Sequence, residues 1–237
     1  MSLNLLAPAL LTADDVCVWS LDLSRFLEEV RPFGVAPNGD ELARAGRFRQ
    51  PQQRRRFLTA RAALRLLLGN YLAIDPADVS LTIGEHGKPV LAGQTPDRGL
   101  VFNISHSGDR ALLAFAWNRA VGVDVERVRP LQHEDALAQR CLAPAELACW
   151  RELDKPERLS GLFRYWVCKE AFGKATGLGI QVGLASVEIA GDPPRLNSIP
   201  PVHGSADAWH LQLLDVAEGY LGCVCYNGEK GRLRIAP

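Results

Sequence analysis

Two stretches of this 237-residue sequence share one pattern, and the repetition limits the folds that the chain can adopt. In each stretch a long helical pattern begins at a proline, ends near a glycine and leads into a short strand. The predicted helices cover 51–71 and 156–176, and Arg61 of the first aligns with Lys169 of the second. The pattern predicts an internal duplication into two α+β halves with a ligand cleft between them. A chance match is the alternative.

The other elements follow from alternating apolar residues and from turn residues. Helices are also predicted at 40–49, 134–141 and 144–153. Strands are predicted at 16–23, 79–83, 89–91, 101–104, 111–117, 121–125, 187–189, 209–214 and 221–226. The stretch 191–208 has four prolines and few large apolar residues, so we expect an exposed loop there.

Composition and cysteine spacing argue against several classes of protein. The net charge is zero, which gives the chain as a whole no bias toward nucleic acid or anionic membranes. The six cysteines form no CxxC pair, so we expect buried thiols and neither a zinc site nor a disulfide framework. The short apolar run 3–11 lacks a basic leader, and no apolar stretch reaches the roughly 20 residues of a spanning helix. We therefore expect a cytoplasmic protein.

The segment Gly122-Val123-Asp124-Val125-Glu126 places two carboxylates on one face of a predicted strand. Two steps along a strand separate their Cα atoms by about 6.5 Å. Two such carboxylates can hold a hard divalent ion, and Mg²⁺ favours sites of this kind that leave room for substrate phosphates. The alternative is an ordinary half-exposed strand with an acidic outer face.

A second motif lies on the helix 156–176. Trp166, Glu170 and Lys174 are spaced by four residues and share one stripe of that helix. A partly buried glutamate beside a metal can act as a base, and the lysine can bind phosphate. A surface Glu–Lys pair of about 0.3–0.5 kcal/mol is the alternative.

The segment Phe102-Asn103-Ile104-Ser105-His106-Ser107-Gly108 ends a predicted strand. Its hydroxyls, imidazole and turn amides suit a phosphate group. A Ser/His hydrolase is the rival interpretation, but the Gly-x-Ser-x-Gly signature is absent from this segment. A plain turn also stays open.

Eight arginines between residues 44 and 65 have no acidic residue among them: Arg44, Arg47, Arg49, Arg54, Arg55, Arg56, Arg61 and Arg65. Arginine suits bidentate phosphate contacts, so the cluster indicates an anionic partner. Solvated helix surface is the alternative for about half of them. Nucleic acid is a poorer fit, because few aromatic residues interleave the run.

Together these segments resemble one family. Gly-Val-Asp-Val-Glu followed by Trp-x-x-Lys-Glu-Ala-x-x-Lys is similar to the paired signature of the surfactin-synthetase-activating (Sfp-like) type of phosphopantetheinyl transferase. Gly87-Lys88-Pro89 and Asn103-Ile104-Ser105-His106-Ser107 match the two upstream motifs of that family in the expected order. The resemblance covers about residues 44–179.

The resemblance implies a fold of two similar α+β halves related by a pseudo-twofold axis. The first, 1–120, would carry nucleotide-binding elements, and the second, 121–237, the metal and catalytic motifs. Asp124, Glu126 and Glu170 would surround Mg²⁺. Coenzyme A would be bound by Arg44, Arg56, Arg61, Lys88, Ser105, His106, Lys169 and Lys174. Of these, Lys174 and Lys169 would act with Glu170 in catalysis.

The implied reaction is attack of a carrier-protein serine on the β-phosphorus of coenzyme A, releasing 3′,5′-ADP. Glu170 is the predicted general base. The implied partners are coenzyme A and apo acyl or peptidyl carrier proteins, with no nucleic acid and no membrane, and the chain is expected to be monomeric. The Trp/Lys-Glu-Ala variant resembles the branch that serves fatty-acid carriers as well as secondary-metabolite ones. A different Mg²⁺-dependent nucleotide-processing enzyme and a coenzyme A- or nucleic-acid-binding module with an inert site are the rival functions.

Overall fold

The computed structural model describes residues 11–25, 35, 37–84, 88–93, 99–179 and 183–236. Its longer helices are α1 Gly39–Gly46, α2 Pro51–Leu72, α3 Glu134–Cys141, α4 Pro144–Glu152 and α5 Lys155–Thr176. Its strands are β1 Asp15–Asp22, β2 Leu81–Ile83, β3 Pro89–Leu91, β4 Leu100–Ser107, β5 Arg110–Trp117, β6 Val121–Arg127, β7 Glu188–Ala190, β8 Arg195–Ser198, β9 Trp209–Leu214, β10 Tyr220–Asn227 and β11 Arg232–Ala236.

The two long helices, α2 and α5, agree closely with the sequence prediction. A proline lies in the first turn of each, where its missing amide hydrogen costs no helical hydrogen bond. Each ends in a residue with left-handed backbone, Ala73 after α2 and Gly177 after α5. None of the described helices is both long and apolar enough to cross a membrane.

Two sheets pack face to face between the long helices. The first has the strand order β11-β1-β5-β4 and the second β6-β10-β9. Alternate residues of β1 face opposite layers, because Cys17, Trp19 and Leu21 share a core with α2 whereas Val16 and Val18 face the second sheet. Helix α5 covers the outer face of the second sheet, against β10. The layers therefore run helix, sheet, sheet, helix.

The two halves repeat one topology. The order β1, α2, β2–β3 hairpin, β4–β5 pair recurs as β6, α5, β7–β8 hairpin, β9–β10 pair. In both repeats the first strand pairs antiparallel with the last, β1 with β5 and β6 with β10. That last strand pairs antiparallel with the one before it, β5 with β4 and β10 with β9. The predicted α+β class with two similar halves is confirmed. The predicted division into 1–120 and 121–237 remains a proposal; it falls between β5 and β6, yet β11 pairs with β1.

A buried lysine ties α5 to the elements around it. Lys169 is fully buried, and its Nζ donates to the backbone oxygens of Cys141, Leu184 and Val187 at 2.6–2.9 Å. The same Nζ lies 2.5 Å from a carboxylate oxygen of Glu146 on α4. Because a charge in the interior must be paired, these contacts fix α5 against the preceding helix and the strand that follows.

The first half contains the counterpart of this ion pair. Arg65 of α2 lies 3.4 Å from Glu41 of α1 and donates to the backbone oxygen of Val79 at 2.6 Å. Like Lys169, it links its long helix to the preceding short helix and to the residue after a 3-10 turn. Arg65 and Lys169 occupy the same position along two helices of equal length. The predicted alignment of Arg61 with Lys169 is thus off by one helical turn, a shift that preserves the apolar stripe.

Two elements differ from the sequence prediction. The stretch 191–208 was expected to be a loop, but β8 lies within it and buries Leu196 beside β7. A four-residue strand with one inward apolar side chain has no periodicity to detect. The parallel edge strand β11 was not predicted either, because its pairing partner β1 lies at the other end of the sequence.

Replacing Lys169 with Ala should lower the free energy of unfolding by about 3–5 kcal/mol, because Glu146 would be left as an uncompensated buried charge. Urea unfolding followed by circular dichroism measures the change. Lys155→Ala, at an exposed position of the same helix, is the matched control and should stay within about 0.5 kcal/mol of wild type. Equal effects of the two substitutions would contradict a structural role for the ion pair.

Candidate active site

The candidate site forms where β6 meets α5. Gly122 permits this approach, since a Cβ atom there would collide with the backbone of Ala171 and Ala175. Two residues along β6, Asp124 faces the same side as Gly122 and meets Lys174 of α5. The glycine of the Gly-Val-Asp motif therefore sets the distance between the acidic strand and the helix.

Asp124 is the centre of a hydrogen-bonded cluster. Its Oδ1 accepts from Ser105 Oγ at 2.8 Å and from Lys174 Nζ at 2.6 Å. Lys174 Nζ also donates to Ser105 Oγ at 2.7 Å. Asp124 is buried, so the pair is shielded from solvent and the hydrogen bonds are charge-assisted. The prediction that places Ser105 on a coenzyme A phosphate stays a prediction; in the structure its hydroxyl holds Asp124.

Glu126 and Glu170 complete the acidic group. Glu126 is half-buried and accepts from Ser107 Oγ at 2.7 Å. The pKa of Glu170 is raised above 4.5, first by burial and then by the negative charge of Asp124. Burial also raises the pKa of Glu126, with a further contribution from Asp124. The three carboxylates therefore repel one another inside a poorly solvated region.

The carboxylate oxygens of the acidic group are candidate ligands for a divalent cation. Among the described residues, no cluster of three or more His, Cys, Asp or Glu side chains has the arrangement of a metal site. Two buried carboxylate oxygens, Asp124 Oδ2 and Glu170 Oε1, nevertheless have no hydrogen-bond partner within the described part of the chain. Buried oxygens without partners are costly, and hard cations such as Mg²⁺ take oxygen ligands. The residues present fit such an ion.

A pocket of about 280 Å³ opens next to Lys174, between the two halves. Its basic lining residues come from α1, α2, β4, α5 and the approach to β3: Arg44, Arg61, Lys88, His106 and Lys174. None of the described lining residues is acidic. An anion of a few phosphate groups therefore matches its charge.

The cations of this pocket affect each other. Burial and the neighbouring Lys174 lower the pKa of Lys88 to about 8. Lys88 Nζ donates to the backbone oxygens of Lys174 and Val121 at 3.2 and 3.4 Å, so the residue before β3 contacts the second half. Desolvation and the charges of Lys174 and Arg61 lower the pKa of His106. An anion entering the pocket would relieve this repulsion.

The arginines predicted to bind the nucleotide lie in two places. The guanidinium groups of Arg44 and Arg61 lie 5.6 and 5.3 Å from the ring centroid of Phe57, and both line the pocket. Arg56 lies outside the pocket lining and pairs with Asp109 at 2.7 Å. It still contributes to the lowered pKa of His106, which places it in the same electrostatic neighbourhood.

Lys169 lies outside both the acidic group and the cationic pocket. Its Nζ points into the core toward Glu146, whereas Glu170 and Lys174 face β6. Consecutive residues on a helix point about 100° apart, and here that rotation turns Lys169 to the core and Glu170 to β6. The predicted roles of Lys169 in coenzyme A binding and catalysis are not compatible with this position, and we assign it a structural role.

Sequence reasoning missed two residues of β4 that support the acidic strand β6. Ser107 binds Glu126, and Asn103 Oδ1 accepts from the backbone amide of Val123 at 2.9 Å. Both residues stand in the Asn-x-Ser-x-Ser segment at alternate positions of β4. That alternation is itself the signal, because it places the three polar side chains on one face of the strand.

Comparisons with known proteins point to one family. The 4′-phosphopantetheinyl transferase superfamily matches residues 120–225, and the family 4′-phosphopantetheinyl transferase, N-terminal, matches residues 34–118. The 4′-phosphopantetheinyl transferase HetI of Nostoc sp. is 39% identical over 92% of this chain and 90% of that protein. A 4′-phosphopantetheinyl transferase of Bacillus subtilis is 26% identical over 81% of this chain and 82% of its own length.

Among solved structures, a holo-(acyl-carrier-protein) synthase from Bacillus anthracis aligns with 46% of this chain and 94% of its own. The TM-score is 0.38 and the sequence identity 19%.

Asp124→Asn should lower the pKa of Glu170, because the charge of Asp124 contributes to raising it. Glu126→Gln should lower it less, since Glu126 is the smallest contributor. Carbon-13 NMR titration of side-chain-labelled glutamate, without divalent cations, measures both changes. Asp109→Asn is the control and should leave Glu170 unchanged, because Asp109 pairs with Arg56. An unchanged or raised pKa in Asp124→Asn would argue against a shared acidic group.

Proposed function

This chain belongs to the 4′-phosphopantetheinyl transferase family, and from that premise we propose how its residues move phosphopantetheine from coenzyme A to a carrier-protein serine. One observation carries the assignment of the site. Lys174 joins the cationic pocket to the buried carboxylates, since it lines the first and pairs with Asp124 of the second.

The pocket is the proposed binding site for the nucleotide end of coenzyme A. Coenzyme A carries a 3′-phosphate and a diphosphate, and the pocket offers guanidinium, ammonium and imidazole groups on one lining. Arg44 and Arg61 are suited to bidentate contacts with phosphate, and Lys88 supplies a single positive charge. The aromatic ring of Phe57 beside the guanidinium groups offers a flat surface for a base.

Asp124, Glu126 and Glu170 are the proposed ligands of Mg²⁺. When bound, the ion would neutralise charge on the diphosphate. The support from this chain is the pair of partnerless buried oxygens and the mutual repulsion of the three carboxylates. Lys174 compensates part of that negative charge through its contact with Asp124.

Glu170 is the proposed general base. Its carboxylate takes the proton of the serine hydroxyl as the serine oxygen bonds to the β-phosphorus of coenzyme A. The bond from that phosphorus to the bridging oxygen breaks, and 3′,5′-ADP leaves. A raised pKa brings the carboxylate closer to the working pH and makes it a better proton acceptor. Lys174 is placed to stabilise the departing phosphate, because it lines the nucleotide pocket.

The partners follow from the same reaction. We propose that a cytoplasmic, monomeric enzyme serves apo acyl or peptidyl carrier proteins and binds neither nucleic acid nor membranes. The exposed arginines next to the pocket support steering of an acidic partner: Arg47, Arg49, Arg54 and Arg55.

Incubation of an apo acyl carrier protein with coenzyme A, Mg²⁺ and this enzyme should add about 340 Da to the carrier, the mass of one phosphopantetheine. Mass spectrometry of the intact carrier detects the product. Glu170→Gln should reduce the rate about 10²- to 10⁴-fold, because it removes the base, while coenzyme A still binds. Glu157→Gln, exposed on the same helix, should retain wild-type activity. Normal turnover by Glu170→Gln would exclude it as the base.

The affinity for 3′,5′-ADP should fall by about three- to tenfold between pH 7 and pH 9, because Lys88 loses its proton near pH 8. The second ionisation of a phosphate has a pKa of about 6, so it is nearly complete at pH 7, and the pKa of His106 is lowered below 6.5. Isothermal titration calorimetry measures the affinities. Lys88→Met should bind more weakly at pH 7 and show a flat profile. A Lys88→Met profile as steep as wild type would assign the pH dependence to another group.

A further inference from the structure

Strands β4 and β6 are joined by side chains where a backbone ladder would be expected. Strand β4 is an edge strand of the first sheet and β6 is an edge strand of the second, and the two strands pack against each other. Three amides of β6 donate to three side chains of β4: Val123 to Asn103 at 2.9 Å, Val125 to Ser105 at 3.4 Å and Arg127 to Ser107 at 3.1 Å. The constant offset shows that the strands run parallel. Polar side chains thereby satisfy an edge that would otherwise be unpaired.

We call this contact, in which Asn103, Ser105 and Ser107 of β4 accept from the amides of β6, the β4–β6 seam. Its two serines also hydrogen-bond the carboxylates. Ser105 Oγ donates to Asp124 at 2.8 Å, and Ser107 Oγ donates to Glu126 at 2.7 Å. Each hydroxyl has one hydrogen to donate and accepts from the amide that follows the carboxylate it binds. Because the amide fixes the oxygen and the carboxylate takes the hydrogen, each serine sets the orientation of one acidic side chain.

Of the two serines, Ser107 is the one whose side chain contacts a carboxylate without also contacting Lys174. Ser105 also accepts from Lys174 and so belongs to the cluster around Asp124. The side-chain hydrogen bonds found for Ser107 in the described part of the chain join its Oγ to the Arg127 amide and to Glu126. It does not line the cationic pocket. A change at Ser107 therefore acts on Glu126 without removing a contact to the nucleotide.

We propose that Ser107 is a positioning residue that holds the Glu126 carboxylate ready for the divalent cation. The inference rests on the proposed role of Glu126 as a metal ligand. Outer-shell partners of metal ligands typically contribute about 10- to 100-fold in metal affinity or activity. Without the hydroxyl, the carboxylate would have to be ordered when the cation binds, so the cost appears in cation affinity and leaves coenzyme A affinity unchanged.

Ser107→Val and Ser107→Thr form the matched pair, because they have the same shape and differ in the hydroxyl. Mn²⁺ binding is measured by electron paramagnetic resonance with saturating coenzyme A and no carrier protein. Ser107→Val should bind Mn²⁺ about tenfold more weakly or worse, and Ser107→Thr within about threefold of wild type. The Mg²⁺ concentration that gives half-maximal activity should shift in the same order, with thermal unfolding and coenzyme A affinity close to wild type.

The possible outcomes distinguish a failure of the Ser107 role from a failure of the proposed metal site. Undiminished Mn²⁺ binding by Ser107→Val, with wild type binding the ion, would overturn the role of Ser107 alone. Wild type failing to bind Mn²⁺ would overturn the metal site and with it the inference. An equal loss in Ser107→Val and Ser107→Thr would point to packing and also contradict the proposal. Ser107→Ala replaces the valine variant where that variant does not fold.

Discussion

The ion pair between Lys174 and Asp124 joins two groups of charges that would each be unstable alone. On one side, the positive groups of the pocket lower the pKa values of His106 and Lys88. On the other, burial and the charge of Asp124 raise the pKa values of Glu126 and Glu170. Lys174 appears in both groups, as a repelling neighbour of Lys88 and as the partner of Asp124. A diphosphate with its counterion has the charge distribution that would relieve both sides at once.

The two halves share their topology and a buried ion pair, but they contribute different charged groups to the candidate site. Both keep a buried ion pair that fixes the long helix, Arg65 with Glu41 and Lys169 with Glu146. The acidic group belongs only to β6 and α5, in the second half, whereas most of the pocket cations come from the first. The site therefore needs the contact between halves, and the β4–β6 seam supplies it. The long helices and their buried ion pairs occur in both halves, whereas the three carboxylates of the proposed site occur in the second half alone among the described residues.

The sequence predicted the framework better than the details of the site. The long helices and the acidic strand were predicted within a residue or two, because periodicity, prolines and glycines determine them locally. The alignment of the repeats was shifted by one helical turn, since an apolar stripe looks the same after such a shift. Motif likeness also placed Lys169 in the site, although its neighbour Glu170 must face another direction. Contacts of Ser107 and β11 depend on distant partners, which single-sequence patterns do not reveal.

The parallel pairing of β11 with β1 has a consequence for how the chain folds. Almost the whole length of the chain separates these two strands, so closing the loop between them carries a large entropic cost. Contacts of such high sequence separation slow folding, and β1 must keep one edge open until the last described strand arrives. The hairpins and the long helices, whose contacts are local, can form first. We expect the β11–β1 pairing to form after them, and this pairing ties the second half back onto the first.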